Sequence, residues 1–265
     1  MKWLLTLPAL YVAIFGLLIT LQDRLIYPFD SSPVTPVKAG EPRLAEKTLT
    51  TPDGETLIVW AARATGRKPT LLYFHGNAGN LANRAQRFDR LLDRGYGVVA
   101  LAYRGSSGST GSPSEQALTA DAVLLRRSLA QLLGQPPKGK IIYYGESLGT
   151  AVATSLASQI PPDGLLLEAP FTSLTELTAE KLPIFPTRHF LRSKWNTESR
   201  IKSLKTPLLI LHGTKDEVIP YVFGKQIYQA AASQNKHLET LKGSGHANLW
   251  NIQGQTAIYR FINGL

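Results

Sequence analysis

The residue types best suited to covalent chemistry lie in the pentapeptide Gly145-Glu146-Ser147-Leu148-Gly149. An apolar run at 140–144 precedes it and predicts a strand, whereas the run at 150–160 that follows predicts a helix. In such a turn the serine adopts a strained backbone conformation that exposes its hydroxyl, and a Cβ two positions before or after it would clash. Gly145 and Gly149 avoid that clash, so the pattern predicts that Ser147 is a nucleophile. Chance is the alternative, because small residues flank many serines.

A serine that attacks a carbonyl needs a base to accept its proton. Of the five histidines, His246 lies in a glycine-rich loop after the last predicted strand, where an imidazole can reach a site at the strand ends. We predict His246 as the base, and its alternative role is to pack this loop. The other four lie within a strand, within an insertion, or before a glycine at a strand end, where histidine usually shapes a turn: His237, His189, His75 and His212.

The base in turn needs a carboxylate that orients it. Asp216 lies in the loop after the preceding predicted strand, and we predict it as this acid. Two alternatives exist, because Glu217 is its neighbour and because Asp216 could instead cap the following helix. The three predicted groups occur in the chain order Ser147, Asp216, His246, each just after a predicted strand.

The charge that develops on the substrate oxygen needs backbone N–H donors. We predict one at Leu148, directly after the nucleophile, and the second at Asn77, in the small-residue loop 74–80 after a predicted strand. The alternatives for this loop are a turn that caps the next helix or a phosphate cradle. A cradle of the P-loop kind ends in Gly-Lys-Ser/Thr, and that ending is missing here.

These residues require a sheet whose strand ends meet at one edge. Two predicted strands flank the turn signal Pro52-Asp53-Gly54 and form a hairpin. Strands and helices then alternate, and the strands are near-continuous Leu, Ile and Val runs, which indicates helices on both faces. The chain therefore predicts an α/β fold with a mostly parallel sheet of eight strands. They lie at 47–51, 56–62, 70–74, 97–102, 140–144, 164–168, 207–211 and 237–241, with helices near 81–93, 114–133, 150–160, 221–233 and 249–262.

One insertion, at about 170–205, interrupts this alternation. It contains apolar pieces together with seven Lys/Arg and only three Glu. An insertion above the carboxyl edge of a parallel sheet lies where ligands bind, so we predict a short cap over the site. Its mixture of apolar and basic residues also suits contact with a membrane.

The first segment is suited to crossing a membrane. From Trp3 to Leu21 the chain is uncharged and mostly apolar, and a helix over these residues is roughly 28 Å long, close to the ~30 Å hydrocarbon core of a bilayer. We predict a single transmembrane anchor at residues 1–24, a connector at 25–45 and one catalytic domain at 46–265. A cleaved signal peptide is the alternative, but its apolar region is about 7 to 15 residues and ends in a small-x-small site that is absent here. Flanking basic residues are nearly balanced, and we place the catalytic domain outside the cytoplasm.

The chain is basic, with a net charge of +10 over 265 residues. The basic residues are spread, with no Lys/Arg run and no recognisable nucleic-acid module, so we predict no nucleic-acid partner. Two accounts of the charge stay open: attraction to anionic lipid headgroups beside the anchor, or a solvated basic surface. The chain has no cysteine, which leaves it indifferent to the redox compartment.

Together these motifs resemble the α/β-hydrolase superfamily, and within it the membrane-anchored serine hydrolases that include protein-depalmitoylating thioesterases and bacterial relatives. The resemblance extends from about Ile26 to the C-terminus. It implies a triad of Ser147, Asp216 and His246, with Asn77 and Leu148 as the oxyanion hole. The motifs that carry it are His75-Gly76-Asn77, Tyr103-Arg104-Gly105, Gly111-Ser112-Pro113-Ser114-Glu115, the pentapeptide around Ser147, the Asp216 loop and His246.

The predicted function is a serine hydrolase that cleaves carboxylic esters or thioesters of a small-molecule or lipid-like acyl substrate. Water completes deacylation, so no metal and no organic cofactor is predicted. Two alternatives stay open at this point. One is a serine aminopeptidase-like peptidase, which needs an acidic group for the peptide amine, and the other is a non-catalytic, membrane-tethered interaction module on the same scaffold.

Overall fold

An eight-stranded sheet forms the centre of the computed structural model, which describes residues 3–265, with side chains from residue 6 onward. The order across the sheet is β1-β2-β4-β3-β5-β6-β7-β8. The pairs β1–β2 and β2–β4 are antiparallel and all others are parallel, which confirms the predicted hairpin and the mostly parallel sheet. The strands are β1 (Ala45–Thr50), β2 (Thr56–Ala62), β3 (Thr70–Phe74), β4 (Gly97–Leu101), β5 (Ile141–Glu146), β6 (Gly164–Glu168), β7 (Leu208–Gly213) and β8 (Lys236–Leu241).

Helices flank this sheet, as predicted. The helix expected at 114–133 is two helices, because Ser128 leaves the helical conformation between them (φ −86°, ψ 4°). The one expected at 81–93 begins as a 3₁₀ turn at Leu81–Arg84. Within the described residues the helices are α1 (Trp3–Ile26), α2 (Ala85–Leu92), α3 (Glu115–Arg127), α4 (Leu129–Leu133), α5 (Leu148–Ala157), α6 (Leu174–Lys181), α7 (Thr197–Ile201), α8 (Tyr221–Ala230) and α9 (Ile252–Gly264).

Helix α5 fixes the position of the candidate nucleophile. All ten of its residues are buried, and the helix packs on β3, β5 and β6. A helix that is buried on every side is part of the core rather than of the surface. Because α5 begins directly after Ser147, this residue is held at the carboxyl end of the middle strands.

The insertion at about 170–205 contains α6, a 3₁₀ turn at Thr187–His189, and α7. We call residues 170–205 the cap. Helix α1 continues to Ile26, two residues beyond the predicted end of the anchor, and residues 1–2 of that predicted segment lie outside the described part of the chain. The division of the chain at residues 24 and 45 stays a prediction.

Candidate active site

Ser147 occupies a sharp turn between β5 and α5 in a backbone conformation that disfavours any side chain (φ 52°, ψ −116°). The neighbouring glycines are required for close approach. A Cβ on Gly145 would lie 2.4 Å from the carbonyl oxygen of Gly149, and a Cβ on Gly149 would lie 1.9 Å from that of Phe74. The strain and the two glycines predicted from the pentapeptide are therefore present in the structure.

Three loops bring Ser147, His246 and Asp216 into contact. The Oγ of Ser147 lies 3.0 Å from Nε2 of His246, and Nδ1 of His246 lies 2.7 Å from Oδ2 of Asp216. A carboxylate can only accept, so Nδ1 of the neutral ring carries the proton and leaves Nε2 to accept the hydroxyl of Ser147. This arrangement suits transfer of the serine proton to the imidazole.

Asp216 is held by its own loop as well as by His246. Its side chain is buried, and Oδ1 accepts the backbone N–H groups of Val218 (2.9 Å) and Ile219 (2.8 Å). Burial alone would raise the pKa of Asp216, but hydrogen bonds from His212, His246 and the Ile219 backbone lower it below the ordinary value. The carboxylate is thus ionised at neutral pH, and its neighbour Glu217 is exposed.

The other four histidines have different main partners, although one of them, His212, also contacts Asp216. His75 and His212 are fully buried, and each donates a ring N–H to a backbone carbonyl, of Gly76 (2.7 Å) and of Ile219 (2.8 Å) respectively, as expected for turn-shaping residues. His237 is on the exposed side of β8 near Glu239, and His189 lies in the cap. We predicted a turn-shaping role for His212 and no contact with the site, yet its Nε2 lies 3.5 Å from Oδ2 of Asp216.

The two predicted oxyanion donors lie on either side of Ser147. Leu148 is the first residue of α5, where the backbone N–H groups of a helix are free to donate. Asn77 borders both cavities that reach Ser147. The residue that caps the following 3₁₀ turn is Asn80, whose side chain accepts the backbone N–H of Ala82. The capping alternative therefore does not involve Asn77.

Two cavities that differ in the share of polar groups in their lining meet at Ser147 and Asn77. One, of about 210 Å³, is mainly apolar and lies beneath the cap. The other, of about 430 Å³, has a mixed lining that includes His246 and the charged side chains of Arg84, Arg87, Glu146 and Glu168, and we call it the polar cavity. A larger depression of about 670 Å³ between α6 and α8 includes neither Ser147 nor His246, so we do not assign it to the site. The apolar cavity is bordered by Leu18, Ile19, Gln22, Leu25, Ile26, Asn77, Ser147, Leu148, Phe171, Leu174, Leu177, Thr178, Leu182, Thr187, Leu191, Val218 and Ile219.

A charged cluster forms the floor of the polar cavity. Arg84 pairs with Glu146 at 2.8 Å, and Arg87 pairs with Glu168 at 2.7 Å. Burial would raise the pKa of Glu146, but the charges of Arg87 and Arg84 and hydrogen bonds from Arg84 and Tyr73 lower it to about 2. Sequence reasoning did not identify the two arginines, although two glutamates at the ends of neighbouring strands are a signal that cations are needed.

Two further findings bear on partners. No group of three or more His, Cys, Asp or Glu side chains suited to a metal ion lies among the described residues. One helix in that part of the chain is long and apolar enough to cross a bilayer, over Thr6–Ile26, with a mean hydropathy of 1.6. By length and composition alone, such a helix also fits a signal sequence or a core helix.

Comparison with known proteins identifies the family. Two protein-family models match, one described as alpha/beta hydrolase fold over residues 69–186 and one as serine aminopeptidase, S33, over residues 175–251. The alpha/beta hydrolase domain-containing protein WAV2 of Arabidopsis thaliana is 31% identical over 272 residues, covering 92% of this chain and 87% of WAV2. The chain belongs to the α/β-hydrolase family. The predicted fold family is confirmed.

This α/β hydrolase is also similar to the lysophosphatidylserine lipase ABHD12 of Danio rerio, at 36% identity over 191 residues. The match covers 64% of the chain and 49% of that relative, so the chain spans about half its length. Among solved structures, the Pyrococcus furiosus esterase Pf2001 superposes with a TM-score of 0.71 at 20% identity, covering 89% of this chain and 95% of the esterase; at that identity the likeness concerns the fold. The predicted enzyme class, a hydrolase, is confirmed, and the roles of single residues stay predictions.

Proposed function

We propose that this α/β hydrolase is a serine hydrolase that cleaves carboxylic ester or thioester bonds through an acyl-enzyme. The observation that carries the proposal is the pair of contacts that join Ser147 to His246 and His246 to Asp216, at 3.0 and 2.7 Å. A nucleophile, a base within hydrogen-bond reach and an acid that orients the base are the parts that acyl transfer needs.

The reaction follows from these contacts. Ser147 Oγ attacks the carbonyl carbon while its proton passes to Nε2 of His246, and Asp216 stabilises the imidazolium through Nδ1. The backbone N–H groups of Leu148 and Asn77 receive the oxyanion. His246 then returns the proton to the departing oxygen or sulfur, and a water activated by the same ring hydrolyses the acyl-enzyme.

The two cavities divide the substrate between them. The apolar cavity beneath the cap suits an acyl chain, and the polar cavity beside His246 suits a hydrophilic leaving group. An acyl chain joined to a polar alcohol or thiol is the substrate class that fits both. The names of two similar proteins, a lysophosphatidylserine lipase and an esterase, support an ester of this kind.

We infer that α1 holds the enzyme on a membrane as a single-pass anchor, with the catalytic domain on the non-cytoplasmic side. Support comes from the 21 predominantly apolar residues of Thr6–Ile26, which form a helix about 30 Å long. The exposed apolar side chains of α1, among them Leu7, Val12 and Leu17, would otherwise contact water. The lipid-like substrate class is consistent with this placement.

A peptidase is the second candidate, because the S33 serine aminopeptidase model matches residues 175–251. An aminopeptidase needs a carboxylate that is available to a peptide amine. The two carboxylates that border the polar cavity, Glu146 and Glu168, are each paired with an arginine. This pairing favours the esterase.

The test is labelling with a fluorophosphonate probe together with hydrolysis of acyl esters and thioesters by the full chain in detergent micelles. We expect Ser147→Ala to abolish both labelling and hydrolysis and to leave the thermal unfolding transition in place. Ser155→Ala is the matched control, because Ser155 is buried on α5 and its hydroxyl has no hydrogen-bond partner among the described residues. Full activity in Ser147→Ala would refute the proposal, and an unlabelled, inactive wild-type enzyme would favour the non-catalytic module.

A further inference from the structure

Helix α1 borders the apolar cavity, so the candidate anchor is also part of the active site. Leu18, Ile19, Gln22 and Ile26 lie on the side of α1 that faces the cavity. Across the cavity stand Leu148 and residues of the cap. An acyl chain in this cavity therefore contacts the anchor helix on one side and the catalytic domain on the other. The inference drawn below rests on the proposed function.

Gln22 ties α1 to the cap. It is a buried amide in an apolar helix, 4% exposed, and a buried amide is costly unless it is hydrogen-bonded. Its Oε1 accepts the backbone N–H of Arg192 at 2.8 Å, and its Nε2 donates to the carbonyls of Ile19 at 2.8 Å and Phe190 at 3.4 Å. A helix that only anchors a protein in a membrane does not require a buried amide that is hydrogen-bonded to another segment of the protein.

Two further sets of contacts strengthen the same connection. Below Gln22, the Tyr27 hydroxyl donates to Oγ of Ser193 at 2.8 Å and accepts the indole N–H of Trp195 at 2.9 Å. Above Gln22, Phe15 stacks with Phe185 at 5.6 Å and meets Phe190 edge-on at 5.1 Å. The cap is thus fastened to α1 by polar bonds near the cavity and by aromatic rings farther out.

We propose that α1 determines which acyl chains this enzyme accepts: Leu18 and Ile19 close the acyl cavity, and Gln22 is a positioning residue that holds the cap against them. Substrate selection is then a property of the membrane helix as well as of the cap. The wall that closes the acyl cavity is therefore part of the candidate anchor itself.

The first test changes the volume of the cavity from the side of α1. We expect Leu18→Trp to lower kcat/KM for long acyl esters by about tenfold or more, because small changes in an apolar pocket give differences of this order. The loss should be smaller for acetyl and butyryl esters, so that the ratio of long-chain to short-chain kcat/KM falls by about tenfold. The matched control is Leu17→Trp, since Leu17 is 59% exposed and does not border the cavity.

A second variant changes the same wall in the opposite direction. Ile19→Ala enlarges the cavity, and we expect the preferred acyl chain to become longer than in wild type. Loss of the thermal unfolding transition would show that Leu18→Trp does not fold. In that event Ile19→Ala still tests the proposal. An unchanged chain-length profile in Ile19→Ala, or in folded Leu18→Trp, overturns the proposal.

Gln22→Met tests the positioning role, because it keeps the length of the side chain and removes the amide. We expect KM for long acyl esters to rise by a larger factor than kcat for the same esters falls. A merely structural defect would instead lower kcat and the labelled fraction together and leave KM unchanged. That result would contradict the role of Gln22. Fluorophosphonate labelling at Ser147 in wild type and in every variant separates the proposed function from the role of α1. Absence of labelling in wild type contradicts the proposed function. Normal labelling with an unaltered chain-length profile in the variants contradicts only the role of α1.

Discussion

Glu146 and Glu168 lie opposite each other in the register of β5 and β6, and each carboxylate is paired with a different arginine. Two like charges on neighbouring strands at the edge of a buried sheet repel each other unless cations intervene. Two arginines supply those cations: Arg84, the last residue of the 3₁₀ turn after the Asn77 loop, and Arg87 on α2. The same ion pairs therefore connect the nucleophile turn to the candidate oxyanion loop.

Of the two arginines, Arg87 has the more deeply buried ion-pair partner. Its partner Glu168 has a side chain that is 2% exposed, and Tyr144 also donates to this carboxylate. We expect Arg87→Met to lower the free energy of unfolding by about 3–5 kcal/mol, because it leaves a buried carboxylate without its cation. Chemical denaturation, followed by circular dichroism, measures this change.

The control for Arg87→Met is an exposed ion pair. Lys202 and Glu198 are 58% and 38% exposed, and we expect Lys202→Met to change the free energy of unfolding by less than about 1 kcal/mol. Adding Glu168→Gln to Arg87→Met should recover part of the lost stability, because the unpaired charge is then removed. Equal losses for Lys202→Met and Arg87→Met would contradict the role given to the buried pair.

His75 predicts an acid sensitivity of the fold. Burial, together with the positive charge of Arg84, lowers its pKa to about 3, against the opposing effects of the Gly76 hydrogen bond and the Glu146 charge. The unfolded chain takes up a proton below pH 6.5 while the folded chain does not, so this contribution to stability is complete above pH 6.5 and decreases as the pH falls toward 3. Between pH 7 and pH 5 the loss from this residue is about 2 kcal/mol.

The measurement is the free energy of unfolding of wild type and of His75→Asn at both pH values. The wild type should lose about 2 kcal/mol more than the variant over this interval. Comparing the two proteins removes the contributions of the other four histidines, which are common to both. Parallel pH profiles would show that His75 titrates normally in the folded protein.

The middle of the sheet was predictable because burial leaves a simple pattern. Strands β3 and β6 have the predicted bounds, and every residue in them is buried, so their apolar runs are continuous. The contacts among Ser147, Asp216 and His246 follow from the same fact, since parallel strands bring their carboxyl ends to one edge. Loop position, residue type and chain order together were the basis for predicting that these three residues meet there.

The contacts of α1 with the cap were not predictable. A uniformly apolar helix gives no periodic signal that distinguishes a side facing protein from a side facing lipid. Gln22 is a polar residue near the end of such a run, and its burial depends on backbone groups of Phe190 and Arg192, which lie about 170 residues away. Partners at this separation are set by tertiary packing rather than by local pattern.

Gly149 predicts a sharp intolerance to substitution. A Cβ at this position would lie 1.9 Å from the Phe74 carbonyl oxygen, and backbone cannot move aside as a flexible side chain can. We expect Gly149→Ala to lower the free energy of unfolding by about 3 kcal/mol, the upper end of the 1–3 kcal/mol that overpacking of a core typically costs. In Gly245→Ala the new Cβ would lie 3.5 Å from the Lys215 carbonyl oxygen, an ordinary contact, so its unfolding transition should match that of wild type. Similar destabilisation of both variants would contradict the close approach at Gly149.

The position of the cap along α1 predicts how deeply it enters a membrane. The Tyr11 hydroxyl donates to the carbonyl of Ile184 at 2.7 Å, and Tyr11 lies about 23 Å along the helix from Ile26. If Thr6–Ile26 crosses the ~30 Å hydrocarbon core, the tip of the cap must lie inside it. The exposed side chains of Ile184 and Phe190, at 70% and 49%, suit that environment.

Site-specific labelling measures this depth cleanly, because the chain has no cysteine of its own. We expect a fluorophore on Ile184→Cys to be quenched by lipids that carry a nitroxide within the acyl chains, when the full chain is reconstituted in vesicles. The control is Ile252→Cys, at the start of α9, which is 84% exposed and should be quenched only by a water-soluble agent. If the label at position 184 behaves like the one at 252, α1 cannot cross the bilayer in the position that the structure gives the cap, and the single-pass anchor must be abandoned.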